Sequence, residues 1–193
     1  VESFDAVIIA TGGNPKEGGF DWLKDLGHMI KVPVPSLFTF NLPKNPITKL
    51  MGLVVEKVRV KIKGEDITTY GPLLITHWGF SGPAVLVASS YGARNLALLG
   101  YQFEIEINWR QKQNTELFYQ ELQQTIHLYP QKSIVNQKGF NVPNRLWEFL
   151  LEKSNIPLHT RWNELGKKRA RQLIELATHD PYTVSGKTTL KEE

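Results

Sequence analysis

The sequence contains no cysteine among its 193 residues, and this absence excludes several kinds of chemistry. Disulfide bonds, thiolate catalysis, cysteine-held iron–sulfur clusters and cysteine-type zinc sites all need a thiol. The five histidines are scattered, without the i, i+4 spacing that places two imidazoles on one face of a metal-binding helix. We therefore expect no metal site.

Long apolar runs and nucleotide-binding loops are also missing. No apolar run approaches the roughly 20 residues that a membrane span requires, and no charged-then-apolar leader points to secretion. We expect a cytoplasmic protein with no membrane partner. Neither a GxGxxG sequence nor a P-loop occurs, so the chain does not supply its own dinucleotide phosphate cradle.

Basic residues outnumber acidic ones, 23 to 19, and the excess is concentrated in residues 161–175. This segment predicts a helix with an apolar face and a basic face. A solvated basic face is common, and no base-reading motif accompanies this one, so we favour that interpretation over a nucleic-acid partner. The alternative is a nucleic-acid or protein interface on residues 161–171, with Trp147 and Trp162 stacking on bases rather than anchoring the core. The residues that would then carry binding are Lys167, Lys168 and Arg171.

The chain begins with a pattern typical of α/β proteins. "FDAVIIATGG", residues 4–13, predicts a strand buried on both faces that ends at two glycines. The next stretch, "FDWLKDLGH", predicts a short helix that ends at Gly27. A proline-rich extended segment follows, and we place a domain boundary there, so that residues 1–34 form the first domain fragment.

Residues 35–110 predict a β-rich part with its own helix. Val58, Val60 and Ile62 alternate with basic residues, and a later strand alternates Phe103, Ile105 and Ile107 with acidic ones. Antiparallel pairing of these two strands would bring opposite charges together. We expect one helix over Pro83–Leu99 with Ser81 as its N-cap.

Residues 111–180 predict three helices, and residues 181–193 predict a strand that returns the chain to the first domain. In the first helix the inward positions are Phe118, Leu122, Ile126 and Tyr129. The fold class is therefore α+β, with a mostly antiparallel β-rich part and a helical part.

The densest cluster of functional groups is "THWGFSGP", residues 76–83. A glycine turn that leads into a helix exposes backbone N–H groups to anions, and His77 could bind an oxygen or shuttle a proton. Alternatively, Gly79 and Gly82 supply positive φ angles while Thr76 and His77 satisfy backbone groups. The nucleophile-elbow pattern is not met, because Pro83 stands where a second glycine is needed.

Four stretches, in this order, resemble one flavoprotein family: "FDAVIIATGG", "LGH" with the proline-rich segment, "GPLLITHWGFSGPAVLVAS" and "YTVSGKTTLKEE". They are similar to the bacterial BaiN-type, aminoacetone-oxidase-like family of FAD-dependent flavoproteins, which are described as NAD(P)/FAD-utilising dehydrogenases. In that family an inserted domain interrupts a Rossmann-like FAD domain. The resemblance implies that this chain is an internal piece, with the insert flanked by remnants of the FAD domain, and that the β-rich part of the insert is barrel-like.

The resemblance also implies which residues bind the cofactor and which face the substrate. Ala10, Thr11, Gly12 and Gly13 would lie along the FAD. The substrate-side wall would consist of Thr76, His77, Gly79, Ser81 and Gly82, with His77 and Ser81 as the catalytic candidates. The parent protein would be an oxidoreductase that uses FAD on a small-molecule substrate, with NAD(P)H as a possible second cofactor. The isolated chain is expected to be inactive and to lack flavin absorbance.

Overall fold

The computed structural model describes residues 4–14, 16–111 and 115–189. It divides into two compact units, Val1–Val34 and Pro35–Glu193. Two of the predicted domain limits, residues 1 and 193, lie outside the described residues. Residues 112–114, just after the predicted start of the helical part, lie outside them as well.

The first unit contains a 3-10 turn, Glu17–Phe20, that continues into the short helix α1, Asp21–Asp25. The N–H groups of Gly27 and His28 close the end of this helix by donating to the carbonyls of Lys24 and Leu23. Gly27 has a φ of +88°, so the predicted glycine stop is confirmed.

The predicted buried strand at residues 5–10 is wrong for this chain. The structure assigns no strand to residues 4–14, and Val7 and Ile8 are 76% and 93% exposed. A strand needs neighbours for its backbone groups, and no other strand occurs in the described part of this unit.

The second unit is built around an antiparallel sheet. In the order β6-β5-β2-β3-β4-β1-β7, each strand is hydrogen-bonded to the next. The strands are β1 Phe38–Asn41, β2 Val54–Ile62, β3 Ile67–Ile75, β4 Gly79–Ser81, β5 Gln102–Asn108, β6 Asp180–Ser185 and β7 Lys187–Thr189.

The two edge strands of this sheet are consecutive in the chain, and only Gly186 separates them. β6 pairs with β5 and β7 pairs with β1. The N–H of Gly186 donates to the Tyr101 carbonyl at 2.9 Å, and its carbonyl accepts from the Asn41 N–H at 3.1 Å. The bend at Gly186, with a φ of +136°, therefore closes the sheet into a barrel.

The predicted pairing of the basic and acidic strands is confirmed. β2 and β5 run antiparallel, with Lys61 opposite Glu106. The guanidinium of Arg59 lies 3.1 Å from the Glu106 carboxylate, and the alternate side chains fill the barrel. Inside, rings meet edge to face, with Phe40 and Phe103 at 5.0 Å and Phe80 and Tyr182 at 4.9 Å between centroids.

The helix expected over Pro83–Leu99 is two helices, α2 Pro83–Tyr91 and α3 Ala93–Leu98. Gly92 between them has φ −87° and ψ 1°, outside the helical region. A Cβ there would lie 2.8 Å from a methyl group of the flexible Leu96 side chain. Gly92, which the prediction placed inside one continuous helix, is the C-cap of the first helix.

Three further helices pack around buried tryptophans: α4 Thr115–Leu128, α5 Asn144–Lys153 and α6 Gly166–Thr178. Trp147 and Trp162 are at most 1% exposed, and their indole N–H groups donate to backbone carbonyls, so both are core residues. Phe118 and Leu122 point inward as predicted. Tyr129 lies beyond the end of α4 and is 40% exposed, which corrects its predicted inward position.

The α+β class, with an antiparallel sheet and a helical part, is confirmed. The strand predicted within residues 181–193 is present as β6 and β7, the two edge strands of the sheet. One connected hydrophobic core runs from the barrel into the helical part.

Candidate functional site

The turn between β3 and β4 holds the sequence-predicted substrate-side residues. The hydroxyl oxygen of Thr76 accepts from the N–H groups of Trp78 and Gly79, both at 3.2 Å. The Thr76 N–H also donates to the Gly79 carbonyl at 2.8 Å. Thr76 therefore holds the turn in shape rather than facing a ligand with a free hydroxyl.

Two glycines of this segment are required by close packing of the backbone. A Cβ at Gly79 would lie 2.2 Å from the Phe40 carbonyl oxygen, and one at Gly82 would lie 2.9 Å from the Leu74 nitrogen. Their φ angles are +151° and +91°. Both positions thus fit the structural interpretation, in which only glycine allows β4 to pass so close to its neighbours.

Ser81 belongs to β4, where it pairs with Leu74 and is half-buried. The N-cap of α2 is Gly82, and it makes no side-chain cap bond. The predicted N-cap at Ser81 is therefore wrong, because the chain is still extended there. Pro83 does occupy the first turn of the helix, as predicted.

His77 and Trp78 project from the tip of this turn. The two rings lie 4.4 Å apart between centroids, tilted by 41°, and Trp78 is 42% exposed. Among the described residues, nothing hydrogen-bonds the His77 imidazole. His77 thus offers an exposed polar side chain without a hydrogen-bond partner among the described residues, and the half-buried Ser81 hydroxyl has none among them either. The exposed indole of Trp78 beside His77 was missed.

The predicted cofactor-binding residues Ala10, Thr11, Gly12 and Gly13 are exposed and lie outside any helix or strand. Gly12 has a φ of +76°, and a Cβ at Gly12 or Gly13 would meet no atom within 4 Å. A backbone this open fits the approach of a cofactor. These four residues lie in the first unit, whereas the β3–β4 turn lies in the second.

A buried polar network that the sequence did not reveal joins α5 to the barrel. The Asp180 carboxylate accepts from the Trp109 indole at 2.9 Å, the Tyr182 hydroxyl at 2.6 Å and the Lys153 ammonium at 2.5 Å. Burial raises the pKa of Asp180, and the Lys153 charge partly opposes this rise. Burial, followed by the Asp180 charge, raises the pKa of Tyr182 well above its usual value. Asp180, Trp109 and Tyr182 are buried and Lys153 reaches them from the partly exposed end of α5, so the network fixes α5 on the barrel.

A cleft of ≈ 610 Å³ lies where three separate segments meet. These are the start of β2, the two residues that follow β5 and the loop that precedes α5. The lining residues are Val54, Val55, Glu56, Lys57, Trp109, Arg110, Lys138, Asn141, Val142 and Pro143. The lining holds the cations Lys57, Arg110 and Lys138 and the carboxylate of Glu56, and Arg110 is ion-paired with Glu121. The two lysines make the cleft a candidate site for an anionic ligand.

The basic segment forms α6 with the predicted apolar face, since Leu165, Leu173 and Ile174 are buried. Lys167, Lys168, Arg169 and Arg171 are exposed. None of these four makes a hydrogen bond or ion pair with any described residue. They occupy the first turns of the helix, where cations oppose the helix dipole.

In the described part of the chain, no helix combines the length and apolarity needed to cross a membrane. The same residues contain no group of three or more His, Asp or Glu side chains arranged to hold a metal ion.

Residues 34–193 match the family model described as the HI0933-like protein barrel and H2TH domain. Two curated relatives are named ribosomal RNA dihydrouridine synthase. The protein from Haemophilus influenzae is 26% identical over 188 residues, which cover 93% of this chain and 44% of the relative. The protein from Escherichia coli K12 is 31% identical over 160 residues, covering 79% of this chain and 38% of the relative.

This chain therefore spans less than half the length of these two relatives. The family match covers the whole barrel and the three helices that pack against it. The chain belongs to the HI0933-like barrel and H2TH domain family, within the FAD-dependent flavoprotein superfamily.

Proposed function

We propose that this chain is the barrel and helical domain of a FAD-dependent oxidoreductase that reduces uridine in RNA. The observation that carries the proposal is the alignment of 93% of the chain with a relative named ribosomal RNA dihydrouridine synthase. The basic balance of the chain and its unpaired cations on α6 also favour a polyanionic substrate.

Conversion of uridine to dihydrouridine saturates one carbon–carbon double bond of the base. A hydride is added to one carbon and a proton to the other. The FAD, when bound and reduced by the electron pair of NAD(P)H, would supply the hydride, and the nicotinamide would leave as NAD(P)⁺. This chain's residues would then bind and orient the RNA and exclude water.

Ala10, Thr11, Gly12 and Gly13 are the residues proposed to lie along the FAD, since their exposed backbone leaves room for it. His77 and Trp78 are proposed as the substrate-side platform. An exposed indole offers a face on which a base can stack, and an imidazole can donate a hydrogen bond to a base carbonyl.

Substitution of the platform residues tests this role. We expect Trp78→Ala to weaken binding of a uridine-rich RNA oligonucleotide by about tenfold, since stacking on one aromatic ring contributes about 1–3 kcal/mol per base. Tyr91→Ala is the matched control, because Tyr91 is an exposed aromatic of α2 with 74% exposure. Equal effects of the two substitutions would contradict the platform role.

The alternative to an RNA substrate is a small organic molecule, on which a BaiN-type oxidoreductase would act. In that case the complete flavoprotein would oxidise NAD(P)H with the small molecule present, and RNA would leave the rate unchanged. Addition of each substrate to the same stopped-flow assay separates the two activities.

A second candidate function is an interaction module without a catalytic role, based on α6. It is favoured by the four cations that occupy the first turns of the helix without ion-pair partners among the described residues. A salt-dependent gel shift that disappears in the triple variant Lys167→Ala/Lys168→Ala/Arg171→Ala would support it. Binding that survives this triple substitution would exclude it.

A further inference from the structure

The cleft of ≈ 610 Å³ between β2, the end of β5 and the loop before α5 gathers charged side chains that the proposed function has not yet used. Its cations come from three segments far apart in sequence: Lys57, Arg110 and Lys138. Glu56 is the one carboxylate in the lining. Like charges gathered at one concave surface repel each other, so an anionic occupant would relieve the repulsion.

A β-bulge directs Lys57 to this surface. Between Val55 and Val58, β2 advances three residues while its partner β3 advances two, from Leu73 to Gly71. A bulge of this kind interrupts the alternation of side chains, so that Glu56 and Lys57 are both exposed. Lys57 makes no hydrogen bond or ion pair with any described residue.

The loop before α5 supplies a second, rigidly held cation. The ammonium group of Lys138 donates to the Val142 carbonyl at 2.6 Å, and this bond closes the loop. A carbonyl is a neutral acceptor, so the charge of Lys138 is left uncompensated. The exposed amide of Asn141, in the same loop, has no hydrogen-bond partner among the described residues.

Arg110, two residues after β5, lines the cleft but adds little free positive charge to it. Its guanidinium is paired with the Glu121 carboxylate and lies over the Phe118 ring, 4.9 Å from the centroid. The Trp109 indole N–H is already used by Asp180. The free positive charge of the cleft therefore comes from Lys57 and Lys138, with Asn141 as an additional polar donor.

We infer that this cleft holds the phosphodiester backbone of the RNA substrate, with Lys57 and Lys138 each contacting a phosphate and Asn141 donating to a phosphate or ribose oxygen. This inference rests on the proposed function, because it assigns the binding surface for the same RNA. The volume is within the roughly 300–1,000 Å³ of ligand-sized clefts, which is sufficient for a short stretch of backbone.

The test is RNA binding by fluorescence anisotropy over a series of salt concentrations, with a single-stranded uridine-rich oligonucleotide. The variant Lys57→Gln/Lys138→Gln removes both charges, while glutamine at 138 keeps a donor for the Val142 carbonyl. Because this variant cannot neutralise two of the phosphates, we expect affinity to fall by about tenfold or more at ~0.1 M salt. The slope of log K against log salt should decrease by about 1.4, since each neutralised phosphate of a single strand contributes about 0.7.

Lys61→Gln is the matched control, because Lys61 is an exposed lysine of the same strand outside the cleft. Its affinity and salt slope should equal those of the unchanged chain. Asn141→Ala should reduce affinity without changing the slope, because the amide carries no charge. Thermal unfolding of each variant verifies that the fold is intact.

The outcomes separate this inference from the proposed function. If the unchanged chain binds RNA but the double variant binds with the same affinity and slope, the cleft is not the site, while RNA remains the substrate. If binding is lost in Lys167→Ala/Lys168→Ala instead, α6 is the site and the cleft inference is overturned. If the unchanged chain does not bind RNA at low salt, the RNA proposal and this inference both fall.

Discussion

Substitution of Gly79 by alanine should destabilise the barrel strongly. The added Cβ would lie 2.2 Å from the Phe40 carbonyl oxygen and 2.8 Å from the Leu42 nitrogen. Both atoms belong to the backbone, so neither can move away as the end of a side chain would. The Leu42 N–H donates to the Trp78 carbonyl at 2.7 Å, and separating the strands would weaken this bond.

The size of the loss can be estimated from two contributions. A non-glycine residue at positive φ costs about 1 kcal/mol. Overpacking against a fixed neighbour typically adds about 1–3 kcal/mol. We therefore expect Gly79→Ala to reduce the free energy of unfolding by about 2–4 kcal/mol, a large part of the roughly 5–15 kcal/mol that stabilises a typical domain.

Gly52→Ala is the matched control for backbone strain alone. Gly52 has a φ of +83°, and a Cβ there would meet no atom within 4 Å. We expect a loss of about 1 kcal/mol at this position. Urea unfolding at fixed pH measures both variants, with the slope against denaturant as a check on two-state behaviour. A loss at Gly79 no larger than the loss at Gly52 would refute the close-packing argument.

Three further predictions concern the buried network, the exposed platform and the cofactor. Because the pKa of Tyr182 is raised in the folded state, its contribution to stability is present below pH ~10 and falls above it by about 1.4 kcal/mol per pH unit. In urea unfolding, Tyr182→Phe should not lose stability in this way as the pH rises. The variant should be less stable at neutral pH, because it lacks the hydrogen bond to Asp180. A free energy of unfolding that still falls equally steeply above pH ~10 would contradict the role given to Tyr182. His77→Ala in the complete flavoprotein should lower the rate of RNA reduction far more than Tyr91→Ala does; equal rates would exclude a role for the imidazole. The purified 193-residue chain should show no visible flavin absorbance, and a yellow preparation would contradict this expectation.

Local patterns in the sequence were sufficient to predict much of the barrel. Alternation of Val58, Val60 and Ile62 with basic residues predicted β2, and the acidic alternation of β5 predicted its partner. These predictions succeed because each strand has one face in the core and one in water, so that burial imposes a period of two. The apolar face of α6 followed from helical spacing for the same reason.

Features that depend on distant contacts were not predictable. The strand at residues 5–10 requires neighbours that the described chain does not provide. The break at Gly92 is a change of the backbone angles to φ −87° and ψ 1°, which the helical spacing of the apolar residues does not reveal. Asp180 gives no sign in the sequence that Lys153 and Trp109 will surround it, because these residues come from α5 and from the residue after β5.

The candidate site was predicted only in part. The segment at residues 76–83 was found from its composition, but its glycines and Thr76 support the barrel. The side chains without a described hydrogen-bond partner are those of His77, Trp78 and the half-buried Ser81. The cationic cleft was missed, because Lys57, Arg110 and Lys138 meet only after the barrel and the helical part have packed together.

The central claim is that this domain serves a flavoprotein that reduces uridine in RNA. The most direct measurement is mass spectrometry of nucleosides from ribosomal RNA incubated with NAD(P)H and the complete FAD-loaded protein that carries this chain. We expect a uridine to gain the mass of two hydrogen atoms, and only when the hydride donor is present. RNA whose nucleosides are unchanged, while NAD(P)H is oxidised with a small organic molecule, would contradict it.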